Sequence, residues 1–137
     1  MTRSGGRARD ESGASAVELV LYVPILMFTI LFAVQFSLIY LGGQVASGAA
    51  REAARTARVT QDPGAARDVA NRIIDQIGKG VLDDPQVATN VGVEQARVTV
   101  SGEASKVVPF LPIPRVSETV QGPIERFVED DGTGAVP

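Results

Sequence analysis

Glu18 is the residue whose chemistry is hardest to explain as routine. It stands directly before Leu19–Leu41, 23 residues without a charge, in which only Thr29, Gln35 and Ser37 are clearly polar. A carboxylate at the edge of such a run is unfavourable unless it pairs with a cation or reaches water, so an intramembrane acid is a functional candidate by default. Its plainer role is to mark the interface and favour a helix N-terminus through the backbone dipole. Gly13 lies five residues upstream, followed by the small residues Ala14, Ser15 and Ala16.

Other chemistry is scarce. The 137 residues contain no Cys and no His, which removes thiol nucleophiles, disulfides, imidazole bases and most zinc sites. No Ser–Lys pair or phosphate-cradling glycine loop stands out. Asp75 with Asp83-Asp84, and Glu129-Asp130-Asp131, are the acidic groups that invite an ion, but neither follows the alternating ligand spacing of a calcium loop. The net charge of −3 is a poor match to nucleic acid, which wants a basic patch. The sequence therefore predicts no enzyme, no cofactor, no metal, no nucleic acid and no small-molecule substrate.

The element that must position Glu18 is the apolar run. As a helix, 23 residues span ~34 Å, enough for a hydrocarbon core of ~30 Å. Tyr22 and Tyr40 sit near its two ends, as interfacial aromatics do. A cleaved secretory signal has a shorter apolar region, ~7–15 residues, ending at a small-residue cut site, and none is evident here. Charge leaves the orientation open, with Arg3, Arg7 and Arg9 before the run and Arg51, Arg55 and Arg58 after it.

Beyond the run the helical pattern continues to about Val59. Arg51, Arg55 and Arg58 fall in a ~60° stripe, joined by Gln44, and read as a solvated face. Ala46, Ala49, Ala50, Ala53 and Ala57 occupy the opposite arc, a surface that lets another helix approach closely. That face packs either on the rest of this chain or on other helices. Gly42-Gly43 reads as a hinge, and Pro24 as a site where the helix can bend.

Residues 61–137 read as a small module. Asp62-Pro63 is an N-cap followed by proline at the first helical position. Ala66, Val69, Ala70, Ile73, Ile74 and Ile77 recur at helical spacing before Gly78 and Gly80. Ala96–Val100 alternates as a strand, Ser101-Gly102 reads as a turn, and Ser105–Val108 as a returning strand. Pro109–Pro114, with three prolines, cannot be a central strand. It reads as an extended apolar loop over the sheet or on a membrane surface. Val116–Val120 is a third strand, Ile124, Phe127 and Val128 a last docking turn, and the tail from Glu129 is frayed.

The combined pattern resembles the TadE-like family, the minor pilins or pseudopilins of the Tad (Flp) type IV pilus system. The resemblance rests on Gly13 with four residues to Glu18, on Ala16-Val17-Glu18-Leu19, Pro24, Gln35-Phe36 and Tyr40, and on Ala49-Ala50-Arg51-Glu52-Ala53-Ala54-Arg55. It covers about Gly13–Val59. Leu19 departs from the Phe often found there, a conservative apolar change.

The resemblance implies cleavage by a prepilin peptidase after Gly13. Residues 1–13 would be the leader, Ala14 the new N-terminus, and Glu18 the fifth mature residue. The ammonium created at Ala14 then has a carboxylate partner in Glu18 of a neighbouring subunit, a pairing that is strong in low dielectric and selects register. The implied protein is an α+β chain with two parts: a pilin-like membrane helix with its extension over 14–60, and an extracytoplasmic helix-plus-antiparallel-strand module over 61–137. Processing would involve Gly13 and Ala14, and assembly Glu18 and Pro24. The implied partners are the membrane, the peptidase, and other Tad pilins and assembly proteins. The implied location is the inner membrane, with the pilus as a possible destination. The competing expectation is an uncleaved single-pass anchor presenting a small binding module.

Overall fold

The computed structural model describes residues 8–125, with side chains from residue 15. The fold is α+β: helix α1 (Ala8–Thr60), helix α2 (Pro63–Ile77), and strands β1 (Leu82–Val91), β2 (Gln95–Ala104) and β3 (Arg115–Pro123). The strands form an antiparallel sheet in the order β1-β2-β3. Phe127, Val128 and the tail from Glu129 lie outside the described residues, as does the part of the leader before Ala8.

α1 is continuous over 53 residues, so it begins before Ser15 and passes through both Gly13 and Gly42-Gly43 as helix. The hinge expected at Gly42-Gly43 is thus a packing site instead. A Cβ on Gly42 would lie 3.5 Å from the Val81 carbonyl oxygen and 3.7 Å from Ala104 Cβ and Leu82 Cδ1. The helix backbone there faces the module at a distance that an alanine would fill with ordinary contacts.

The alanine face packs on this chain's own later elements. Ala46, Ala49, Ala50, Ala53 and Ala57 are fully buried, and the core continues into Ala66, Ala70 and Ile74 of α2 and Ala96, Val98 and Val100 of β2. Small side chains let α1 and α2 approach each other closely while both lie on the sheet. β2 alternates strictly, with Ala96, Val98, Val100, Gly102 and Ala104 inward, as the period of two demands. Its outward face pairs with β3: Thr99 and Thr119 share a hydroxyl hydrogen bond of 2.8 Å, and the Arg97 guanidinium donates twice to Gln121 Oε1.

α2 forms as its caps predict. Asp62 Oδ1 accepts from the Gly64 N–H at 2.7 Å, and the Gly78 N–H donates to the Ile74 carbonyl. Ile77, expected on the apolar face, is 58% exposed, because the face that meets the core runs through Ala66, Ala70, Ile74 and Gly78 and leaves Ile77 at its edge.

Three strand expectations are corrected. β2 runs on through Ser101-Gly102 to Ala104, so there is no turn at those residues. Ser105–Val108 is not the returning strand but a loop. Besides β3, the partner of β2 is β1, which the Asp83-Asp84-Pro85 sequence disguises as a turn. The register slips between Asp83 and Gln86, and Asp84 takes φ 45°. An edge strand tolerates proline at such a bulge.

The arginine stripe also divides. Arg51 and Arg55 are exposed. Arg58 is half-buried and lies over β3, where a Cβ on Gly122 would meet its Cδ and Nη1 at 3.0 Å.

Candidate membrane and assembly surface

α1 has two halves with different surroundings. From Val17 to Ile30 its apolar side chains are about half to two-thirds exposed, among them Leu19, Val20, Leu21, Tyr22, Ile25, Leu26 and Phe28. No other part of the described chain covers them. From Leu31 upward one side turns inward: Leu31, Leu38 and Ile39 are half-buried, and Gln35 and Gly42 are buried. The other side stays open, with Phe36 at 65%, Tyr40 at 67% and Leu41 at 46% exposure. The stretch is long and apolar enough to cross a membrane.

Within the lower half, Glu18 is exposed and has no hydrogen-bond or ion-pair partner among the described residues. Pro24 lies inside α1, and having no N–H it cannot bond the Val20 carbonyl. At 100° per residue Pro24 and Gln35 share one side of the helix, ~17 Å apart along it. Thr29 and Ser37 return their hydroxyls to the helix, donating to the Ile25 and Ala33 carbonyls at 2.9 and 2.8 Å. Gly13 and Ala14 lie in the backbone of α1, below the residues whose side chains are described. The structure thus sets Glu18 and Pro24 on one exposed apolar rod, with Gly13 and Ala14 just beyond it.

Gln35 is the residue whose role the sequence did not disclose. It stands out as a lone amide in an apolar run, and the structure shows what it does. It is 0% exposed. Its Oε1 accepts from the Val107 and Val108 N–H groups at 2.8 and 3.2 Å, and its Nε2 donates to the Ser105 carbonyl at 3.2 Å. Three bonds satisfy both ends of the amide, as a buried polar group requires. They clamp the β2–β3 connection onto α1 within the apolar run itself. The module therefore begins at the level of Gln35, below the last apolar residues of the helix.

The acidic pair at 83–84 has structural partners. Asp84 pairs with Arg115 at 3.0 Å and Asp83 accepts from the Ser105 hydroxyl at 2.9 Å. These contacts brace the bulge of β1 against the start of β3. Glu103 stands 3.7 Å from the same arginine.

Comparison with known proteins gives one match. The family model described as TadE-like protein matches residues 13–55, in agreement with the resemblance read from the sequence. No curated protein and no solved structure matches the chain. The matched segment begins at Gly13, takes in Glu18, Pro24 and Gln35, and ends at Arg55, after most of the buried alanine stripe. The chain thus carries a TadE-like segment, which relates it to the Tad pilus system, on a helix long and apolar enough to cross a membrane.

Proposed function

We propose that this chain is a minor pilin or pseudopilin of a Tad (Flp) pilus or secretion system. In this reading it is a single-span subunit of the inner membrane with its α+β module outside the cytoplasm. A prepilin peptidase cuts after Gly13, and the N-terminal helix then packs into a pilus or its initiating complex. It performs no catalysis and holds no cofactor.

One observation carries the reading: the TadE-like match coincides with a helix whose upper half is occupied and whose lower half is open. Since the alanine stripe is covered by the chain's own module, contact with other pilin helices falls to the stretch from Glu18 to about Ile30. Cleavage puts the Ala14 ammonium one turn from Glu18 in sequence, and a bundle of such helices offers each ammonium a neighbour's carboxylate. An ion pair in apolar surroundings is costly to break, so the pairing favours one register over others.

Two variants test this. Gly13→Ala should leave the chain unprocessed in cells that hold a matching peptidase, and normal processing would count against the assignment. Glu18→Ala should leave it in the membrane but lower its recovery with other pilins. Incorporation equal to wild type would remove the pairing role.

The uncleaved anchor presenting a small binding module is kept as a second reading because α1 runs without a break from Ala8 through Gly13. It predicts the leader intact on the mature protein.

A further inference from the structure

The clamp at Gln35 fixes the height of the β2–β3 connection on α1, and that height bears on the membrane. The opposite side of the helix stays exposed for six residues above Gln35, through the apolar Phe36, Tyr40 and Leu41 and through Ser37, whose hydroxyl is returned to the Ala33 carbonyl, a rise of ~9 Å. A bilayer ending below Gln35 would contain only residues 19–34, ~24 Å of helix against a hydrocarbon core of ~30 Å. It would also leave Phe36, Tyr40 and Leu41 in water. A bilayer that covers them reaches past Gln35, and so past the loop bonded to it.

The loop is built for that position. Residues 107–114 read Val-Val-Pro-Phe-Leu-Pro-Ile-Pro, eight residues with no polar side chain. Phe110 is 90% exposed and Val107 42%. Irregular backbone is excluded from the hydrocarbon core because its N–H and C=O groups lack partners, so the loop's open carbonyls hold it at the polar boundary of that core, while most of its N–H groups are accounted for. Pro109, Pro112 and Pro114 have none, the N–H groups of Val107 and Val108 go to Gln35, and that of Leu111 goes to the Val108 carbonyl. Only those of Phe110 and Ile113 remain among the described residues. Lys106, exposed at the edge of the loop, is placed to reach lipid phosphates while its stem lies along apolar surface.

We propose that residues 107–114 are a second membrane element, a loop that enters the apolar boundary of the leaflet on the module's side and is held against α1 by Gln35. The inference rests on α1 spanning the bilayer and is independent of the pilus role. It fixes the height of the module, whose strands run along α1 from the Gly42 level to the Arg58 level, with the β1–β2 turn at the end far from the membrane.

The chain has no Trp, so single-Trp variants report position cleanly. Full-length Phe110→Trp, Phe28→Trp and Val93→Trp would each be reconstituted in phosphatidylcholine–phosphatidylglycerol vesicles, with and without acyl-brominated lipid. Val93, 78% exposed, lies in the β1–β2 turn, and Phe28 lies mid-span. The proposal expects Trp emission at position 110 to be blue-shifted from that at position 93 and quenched by bromolipid, as at position 28. The position-93 signal should instead be quenched by aqueous iodide. Emission at 110 that matches 93 overturns the proposal. So does a blue-shifted signal that bromolipid does not quench, since a second copy or another part of the chain would then cover the loop. If the position-28 signal escapes bromolipid, the span itself fails, a result distinguishable from failure of the loop alone.

Discussion

Replacing Gln35 with leucine removes an acceptor shared by two backbone N–H groups while keeping the side-chain volume roughly constant. Val108 is 7% exposed, so its N–H loses its partner with little access to water. A buried donor left unpaired costs ~1–3 kcal/mol. Val107 is partly open, so its N–H adds less, and the bond from Nε2 to the Ser105 carbonyl is lost as well. The expected cost is about 3 kcal/mol for holding the 105–111 segment on the helix, a factor of ~100 in its opening equilibrium. Amide hydrogen exchange of the detergent-solubilised protein reads this directly at Val107 and Val108. Exchange within about threefold of wild type, ~0.6 kcal/mol, would refute the claim that Gln35 clamps the loop. A loss of protection spread equally over all three strands would show that the clamp supports the whole module instead.

Other variants test the packing. Gly42→Ala should be neutral or stabilising, because its Cβ finds ordinary contact distances and alanine favours helix over glycine by ~1 kcal/mol. A loss of stability in denaturant unfolding would mean that α1 and the module approach more closely at Gly42 than these distances allow. At adjacent positions Gly48→Ala, with open space around its Cβ, should stabilise by up to ~1 kcal/mol. Ala49→Leu, at 0% exposure, should destabilise by ~1–3 kcal/mol. Reversal of that order in the unfolding midpoints would contradict the assignment of the buried face. Gly102→Ala puts a Cβ 2.7 Å from Leu82 Cγ and Cδ1 and 3.1 Å from the Asp83 carbonyl oxygen. It should cost ~1–3 kcal/mol, and an unchanged midpoint would mean that β1 packs differently at its bulge.

What was legible in the sequence followed one physical rule at a time. The long helix came from uninterrupted hydropathy, α2 from Asp62-Pro63 and its 3.6-residue period, and β2 and β3 from alternation. Each of those signals is local. β1 was missed because Asp83, Asp84 and Pro85 are turn residues in isolation. Only pairing with β2 shows that they form a bulge on an edge strand. Gly102 was read as a turn for the same reason, whereas its missing side chain makes room for Leu82. Gly42 was read as flexible, but it is a buried helical position facing the module, and only the module's position shows that. Gln35 carried a signal in its polarity, but the identity of its partners depends on a contact across 70 residues of sequence. Arg58 was grouped with Arg51 and Arg55 by angle alone, though it stands at the edge of the arc that β3 covers.

The structure places Glu18 and Pro24, the residues proposed to act in assembly, on the open stretch of α1 and leaves both without contacts to the module. That separation makes the two halves of the helix separately testable. The module can be disturbed at Gly102 without touching Glu18, and Glu18 can be changed without touching the core.

The most direct measurement is the mass of the intact membrane-extracted protein together with its N-terminal peptide, with and without coexpression of a matching prepilin peptidase. A processed pilin subunit predicts an N-terminus at Ala14 that is present only with the peptidase. A full-length chain under both conditions would contradict the pilin reading and support the uncleaved anchor, and a cut beyond Leu41 would contradict a stable membrane span.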